Sequence, residues 1–124
     1  MTDIKCLDSS AWLAYYFAES EETKNIIESV LPLITSTLSL FEIKKRLLIL
    51  KKDPQELLEF IKNRSRIQVP DTTIVEKAAE LALKYKLGAI DALIYATSVI
   101  NNAELFTGDN DFRSLEKVKM ISVS

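Results

Sequence analysis

No histidine occurs in this chain. That absence removes Ser-His-Asp catalysis, Cys-His catalysis and histidine-ligated zinc in one step. The single cysteine, Cys6, excludes an internal disulfide and any cysteine-cluster zinc site. It lies inside an apolar run and reads as a small buried hydrophobe. Two glycines and three prolines are too few for a loop-rich all-β fold or a disordered chain. No apolar stretch reaches the length of a membrane span, and no basic region precedes a cleavable apolar segment. A cytoplasmic protein with no membrane partner is therefore expected.

What is present is a chain of 124 residues, 48% of them hydrophobic, enough for one compact domain over 1–124. Its net charge of −2 hides an asymmetry. Residues 44–66 hold eight basic side chains against three acidic ones, a local charge of +5, so the remainder carries −7. A basic stretch in an acidic protein suits a polyanionic partner, although a solvated helix face would look the same.

Short apolar runs at Ile4–Leu7, Leu33–Thr35, Ile67–Val69, Glu104–Thr107 and Met120–Val123 read as strands buried on both faces. Helical patterns lie between them. Ala11–Ala18 follows a cap at Ser9 or Ser10, and Glu21–Val30 follows. Leu40–Leu50 is strongly apolar. Pro54 opens a helix reaching about Asn63. Asp71 or Thr72 caps Ile74–Tyr85, Gly88 reads as a helix stop, and Ala89–Ile100 follows. Alternating strands and helices predict an α/β sandwich around a mostly parallel sheet.

Four acids stand at element starts. Asp8 follows the first strand, Glu42 lies early in the third helix, Asp91 opens a helix and Asp109 follows the fourth strand. Each has a plainer explanation. Asp8 suits a helix N-cap. Ser39-Leu40-Phe41-Glu42 matches a capping box. Asp91 suits a helix dipole, and Asp109 with Asp111 suits a turn. In a parallel sheet, however, ligands bind beyond the carboxyl ends of the strands, where these acids would converge. Carboxylates about 4 Å apart repel by about 4 kcal/mol at an effective dielectric of about 20, so such a cluster calls for a cation. Mg²⁺ and Mn²⁺ prefer carboxylate and water oxygens.

The order of these motifs resembles the PIN domain, most closely the VapC-like ribonuclease toxins of toxin–antitoxin pairs. The likeness rests on Leu7-Asp8-Ser9-Ser10, Ser36-Thr37-Leu38-Ser39-Leu40-Phe41-Glu42, Asp91-Ala92-Leu93-Ile94-Tyr95-Ala96 and Thr107-Gly108-Asp109-Asn110-Asp111-Phe112, and spans essentially the whole chain. It implies a three-layer sandwich with a five-stranded, mostly parallel sheet flanked by helices. By position, Asp8, Glu42, Asp91 and Asp109 match the acidic quartet that would bind one or two Mg²⁺ or Mn²⁺ ions. Ser10 matches the hydroxyl residue supporting the first Asp. Asp111 competes with Asp109 as the closer ligand.

The resemblance further implies hydrolysis of RNA phosphodiesters, a cognate antitoxin and a homodimer. Lys44, Lys45, Arg46, Lys51 and Lys52 are candidate phosphate contacts. Leu47, Leu48, Ile49 and Leu50 would serve a protein interface or the core. Two alternatives are a receiver-like signalling domain and a PIN-like binding module without catalysis.

Overall fold

A computed structural model of the chain describes residues 3–122. Five strands form one sheet: β1 (Lys5–Leu7), β2 (Leu33–Ser36), β3 (Arg66–Gln68), β4 (Glu104–Thr107) and β5 (Val118–Met120). Their order across the sheet is β3-β2-β1-β4-β5, and every pairing is parallel. Six helices connect them: α1 (Ser9–Tyr16), α2 (Glu21–Ile27), α3 (Thr37–Ile49), α4 (Gln55–Arg64), α5 (Thr72–Tyr85) and α6 (Ala89–Ile100).

The pleat divides the core in two. Leu7, Leu33 and Phe106 face one side, where they meet Trp12 of α1, Ile27 of α2, Ile43 and Leu47 of α3 and Ile61 of α4. Cys6, Ile34 and Leu105 face the other, against Ile74, Ala78 and Leu81 of α5 and Ala92, Tyr95 and Ala96 of α6. Small residues let α5 and α6 pack closely. Helices thus cover both faces, as a parallel sheet requires, and the three-layer α/β expectation holds. The buried Trp12 indole donates to Thr35 Oγ1 at 3.1 Å, so its polar edge is satisfied inside the core.

The edge strands depart from expectation. β5 lies at Val118–Met120 rather than Met120–Val123, and Val123 falls outside the described residues. β3 starts at Arg66, and Val69 is exposed beyond its end. Both strands have a neighbour on one side only, so they tolerate Arg66 and Lys119 on exposed positions. A search for apolar runs therefore slides along them.

Several helix ends also differ. Asp8, not Ser9 or Ser10, caps α1. α2 stops at Ile27 instead of Val30. There Arg64 donates to the carbonyls of Ile27 at 2.7 Å, Leu31 at 2.9 Å and Ser29 at 3.1 Å, satisfying groups the ending helix leaves free. α3 begins three residues early, with Ser36 as its cap, so Ser39 is buried within the helix and no capping box joins it to Glu42. Pro54 sits one place before α4. Asp71 caps α5. Gly88 is not the stop of α5: Lys86 takes the left-handed conformation there at φ 57°, while Gly88 caps the start of α6.

Of the four apolar residues at 47–50, Leu47 is core, whereas Leu48, Ile49 and Leu50 are exposed. Among the described residues no helix is long and apolar enough to cross a membrane.

Candidate metal centre

The strand order places β1 beside β4, with β2 and β3 to one side and β5 to the other. The connections after β1 and β4 therefore diverge, opening a crevice at the carboxyl ends of these two strands. Asp8 is the first residue beyond β1, and Asp109 the second beyond β4.

Asp8 is 3% exposed and held on both oxygens. Its Oδ1 accepts from the Ala11 amide at 3.0 Å, capping α1, and from Ser10 Oγ at 2.7 Å. Its Oδ2 accepts from Thr107 Oγ1 at 2.5 Å. Thr107 Oγ1 in turn accepts from the Asp109 amide at 2.9 Å, and Ser10 Oγ accepts from the Gly108 amide at 2.8 Å. Two hydroxyls thus tie the end of β1 to the turn after β4. Asp8 is both the plain helix cap and the hub of this network.

Asp91 lies in the first turn of α6. Asp109 caps a single 3-10 turn, Asn110–Phe112, and its Oδ1 accepts from the Asp111 amide at 2.9 Å. The buried Phe112 ring anchors that turn in the core. One carboxylate oxygen each from Asp91, Asp109 and Asp111 lies within 4.8 Å of the others. Glu42, on α3, is braced by Ser9 Oγ, which donates to its Oε1 at 3.0 Å.

This crowding shows in the proton affinities. Asp91 is pushed up to about 6, first by burial and then by the charges of Asp109, Asp111 and Glu42. Asp8 also rises to about 6 because burial outweighs the hydrogen bonds from Ser10, Thr107 and Ala11, and Asp109 adds repulsion. Burial, with Asp8 nearby, pushes the Cys6 thiol up to about 12, so it behaves as an inert core group. A donor set made only of carboxylate oxygens, partly desolvated and mutually repelling, fits a hard divalent cation.

The fold brings Asp8, Glu42, Asp91, Asp109 and Asp111 to one edge, but not equivalently. Asp91, Asp109 and Asp111 form the tight group, Asp8 lies buried behind Asp109, and Glu42 flanks Asp91. Asp109 and Asp111 are not exclusive choices, since both offer an oxygen. Two contributors escaped the sequence reading: Thr107, which grips Asp8, and Ser9, which holds Glu42. The only local hint of either is a hydroxyl beside or two places before an acid.

The basic stretch divides by task. Arg64 serves backbone carbonyls, Arg66 binds Gln68 and Asn101, and Lys62 pairs with Glu59. Lys44, Lys45 and Arg46 are exposed just beyond Glu42. Lys51 and Lys52 lie past the far end of α3, roughly 14 Å along the axis from Glu42.

Fold and site together define an α/β protein with an acidic, oxygen-donor pocket at the carboxyl edge of a parallel sheet. The PIN domain profile matches residues 5–118, and the chain belongs to the PIN domain family. Among solved structures, a toxin–antitoxin complex from Klebsiella pneumoniae is similar at 23% identity, over 94% of this chain and 96% of that one, with a TM-score of 0.76. VapBC2 from Rickettsia felis, bound to a DNA fragment from its promoter, is similar at 18% identity, over 96% and 99%, with a TM-score of 0.80. Mycobacterium tuberculosis VapC20, described as a sarcin–ricin loop cleaving toxin, is similar at 18% identity, over 87% and 92%, with a TM-score of 0.71. At these identities the likeness is one of fold. A comparison with curated protein sequences found no match.

Proposed function

We propose that this chain is a single PIN-like domain acting in the cytoplasm as a metal-dependent endoribonuclease, the toxin of a toxin–antitoxin pair. The observation that carries this reading is the grouping of Asp91, Asp109 and Asp111 oxygens within 4.8 Å at the switch point of a PIN sheet. Asp8 and Asp91 would hold Mg²⁺ or Mn²⁺, one or two ions, with Glu42, Asp109 and Asp111 completing the site directly or through water. When bound, the cation acidifies a water and offsets negative charge gathering on the phosphoryl oxygens.

The remaining work falls to the chain's own residues. Ser10 and Thr107 fix the Asp8 carboxylate, so it cannot rotate away from the strand end. Ser9 holds Glu42 toward Asp91. Lys44, Lys45 and Arg46 would guide the phosphate backbone, with Lys51 and Lys52 extending the track. With no histidine to act as base, residues around the nucleophile can only position and polarise it. The toxin–antitoxin titles of the structural neighbours support an antitoxin partner for this chain. A homodimer completes the proposal, using the exposed apolar residues late in α3.

The receiver-like alternative loses support, because such domains order their strands 2-1-3-4-5, whereas here the order is 3-2-1-4-5. The test is cleavage of RNA with Mg²⁺ or Mn²⁺ by wild type, Asp8→Asn and Asp91→Asn, with folding verified. Each substitution is expected to lower the rate by at least about a hundredfold. Equal rates in all three would remove the assignment.

A further inference from the structure

Beside the carboxylate cluster runs a groove of about 360 Å³ between α3 and the start of α6, lined by Phe41, Glu42, Lys45, Arg46, Ile49 and Ile90. It adjoins the centre on both walls: Glu42 belongs to the acidic group, and Ile90 directly precedes Asp91. Its floor is unusual for a monomer surface. Phe41 is 63% exposed and Ile49 61%, although both lie on a helix whose other face is core. No printed ion pair or hydrogen bond engages Lys45 or Arg46, nor their neighbour Lys44, so three cations stand unneutralised around one aromatic ring.

We propose that this groove is a subsite for an unpaired nucleotide of the substrate strand, with Phe41 stacking on the base and Lys45 and Arg46 holding its phosphates. The inference rests on the ribonuclease reading and adds to it a preference for single-stranded RNA. An exposed aromatic flanked by cations is how proteins hold single strands, since every base has a π-face and every linkage a charge. A base in a duplex has both faces stacked and cannot reach Phe41. The single acid in the groove, Glu42, belongs to the cluster and faces the end where cleavage would occur. The local excess of positive charge disfavours a second copy of the same surface, which would bring like charges together.

The test uses a labelled mixed-sequence single-stranded RNA 12-mer and the same strand annealed to its complement. Binding is measured in EDTA to prevent metal-dependent cleavage, across a salt series. Wild type should bind the single strand more tightly than the duplex. F41A should weaken single-strand binding by about five- to a hundredfold with the salt slope unchanged. F41W should retain affinity, and its added indole fluorescence should be quenched by the single strand. K45A/R46A should flatten the log–log salt slope by about 1.4 for two phosphates lost. If wild type binds RNA but F41A binds equally well, the subsite is refuted while the ribonuclease reading stands. If F41A instead changes only the mass of the protein in solution, the groove is a protein interface and the proposal falls. If wild type binds no RNA at low salt, both readings fall together.

Discussion

Single carboxylates carry most of the information at the centre, and their proton affinities make a measurable prediction. Asp8 and Asp91 ionise near pH 6 in the folded protein but near 3.8 as free side chains. Through this window the folded state holds more protons than the unfolded one. Stability of the metal-free protein therefore falls as pH rises from about 4 to above 6. Between about pH 5 and about pH 7.5, buried Asp8 alone contributes a loss on the order of 1 kcal/mol. Urea melts in EDTA should show this fall, and Asp91→Asn should make it shallower. Saturating Mg²⁺ should restore stability at the higher pH. A wild-type profile that rises through this window and matches Asp91→Asn would contradict the crowding of charge described here. At this scale much was legible. The positions of Asp8, Asp91 and Asp109 relative to predicted strands place them at one sheet edge. The supporting hydroxyls were less so, because Thr107 and Ser9 act across 99 and 33 residues of chain. No local pattern encodes those contacts.

Elements were read well in kind and unevenly at their ends. β1, β2 and β4 are central, buried on both faces, and their apolar runs locate them within a residue. β3 and β5 are edges, where Arg66 and Lys119 interrupt the apolar signal. The capping-box reading of Ser39 and Glu42 failed because Ser36, three residues earlier, already caps α3. That shift turns Glu42 from a capping group into a side chain free to meet Ser9 and Asp91. Gly88 was a plausible stop for α5, yet Lys86 takes the left-handed turn. A non-glycine residue there is strained by about 1 kcal/mol. Lys86→Gly should therefore stabilise the protein by about 1 kcal/mol in urea unfolding. A loss of stability would show that Lys86 makes a compensating contact.

At the scale of the whole molecule, the alternation of strands and helices was enough to give an α/β sandwich, but not the strand order. Parallel neighbours are chosen by how crossover helices pack, which local sequence does not report. The order β3-β2-β1-β4-β5 is what matters for function. It sets β1 against β4, so that residues from opposite ends of the chain meet at one switch point. The same packing leaves the late turns of α3 uncovered, with Leu48 and Ile49 exposed beside Lys44 and Lys45. One helix thus supplies the core with Ile43 and Leu47, the centre with Glu42, and the surface with its apolar and basic residues. The central claim is that the carboxylate group exists to hold a divalent cation. It is tested most directly by calorimetric titration of Mn²⁺ into the metal-free protein near neutral pH, in two buffers of different ionisation enthalpy. Saturable binding at one or two sites with release of protons, lost or greatly weakened in Asp91→Asn, is the predicted result. No binding, or binding unchanged in Asp91→Asn, would contradict it.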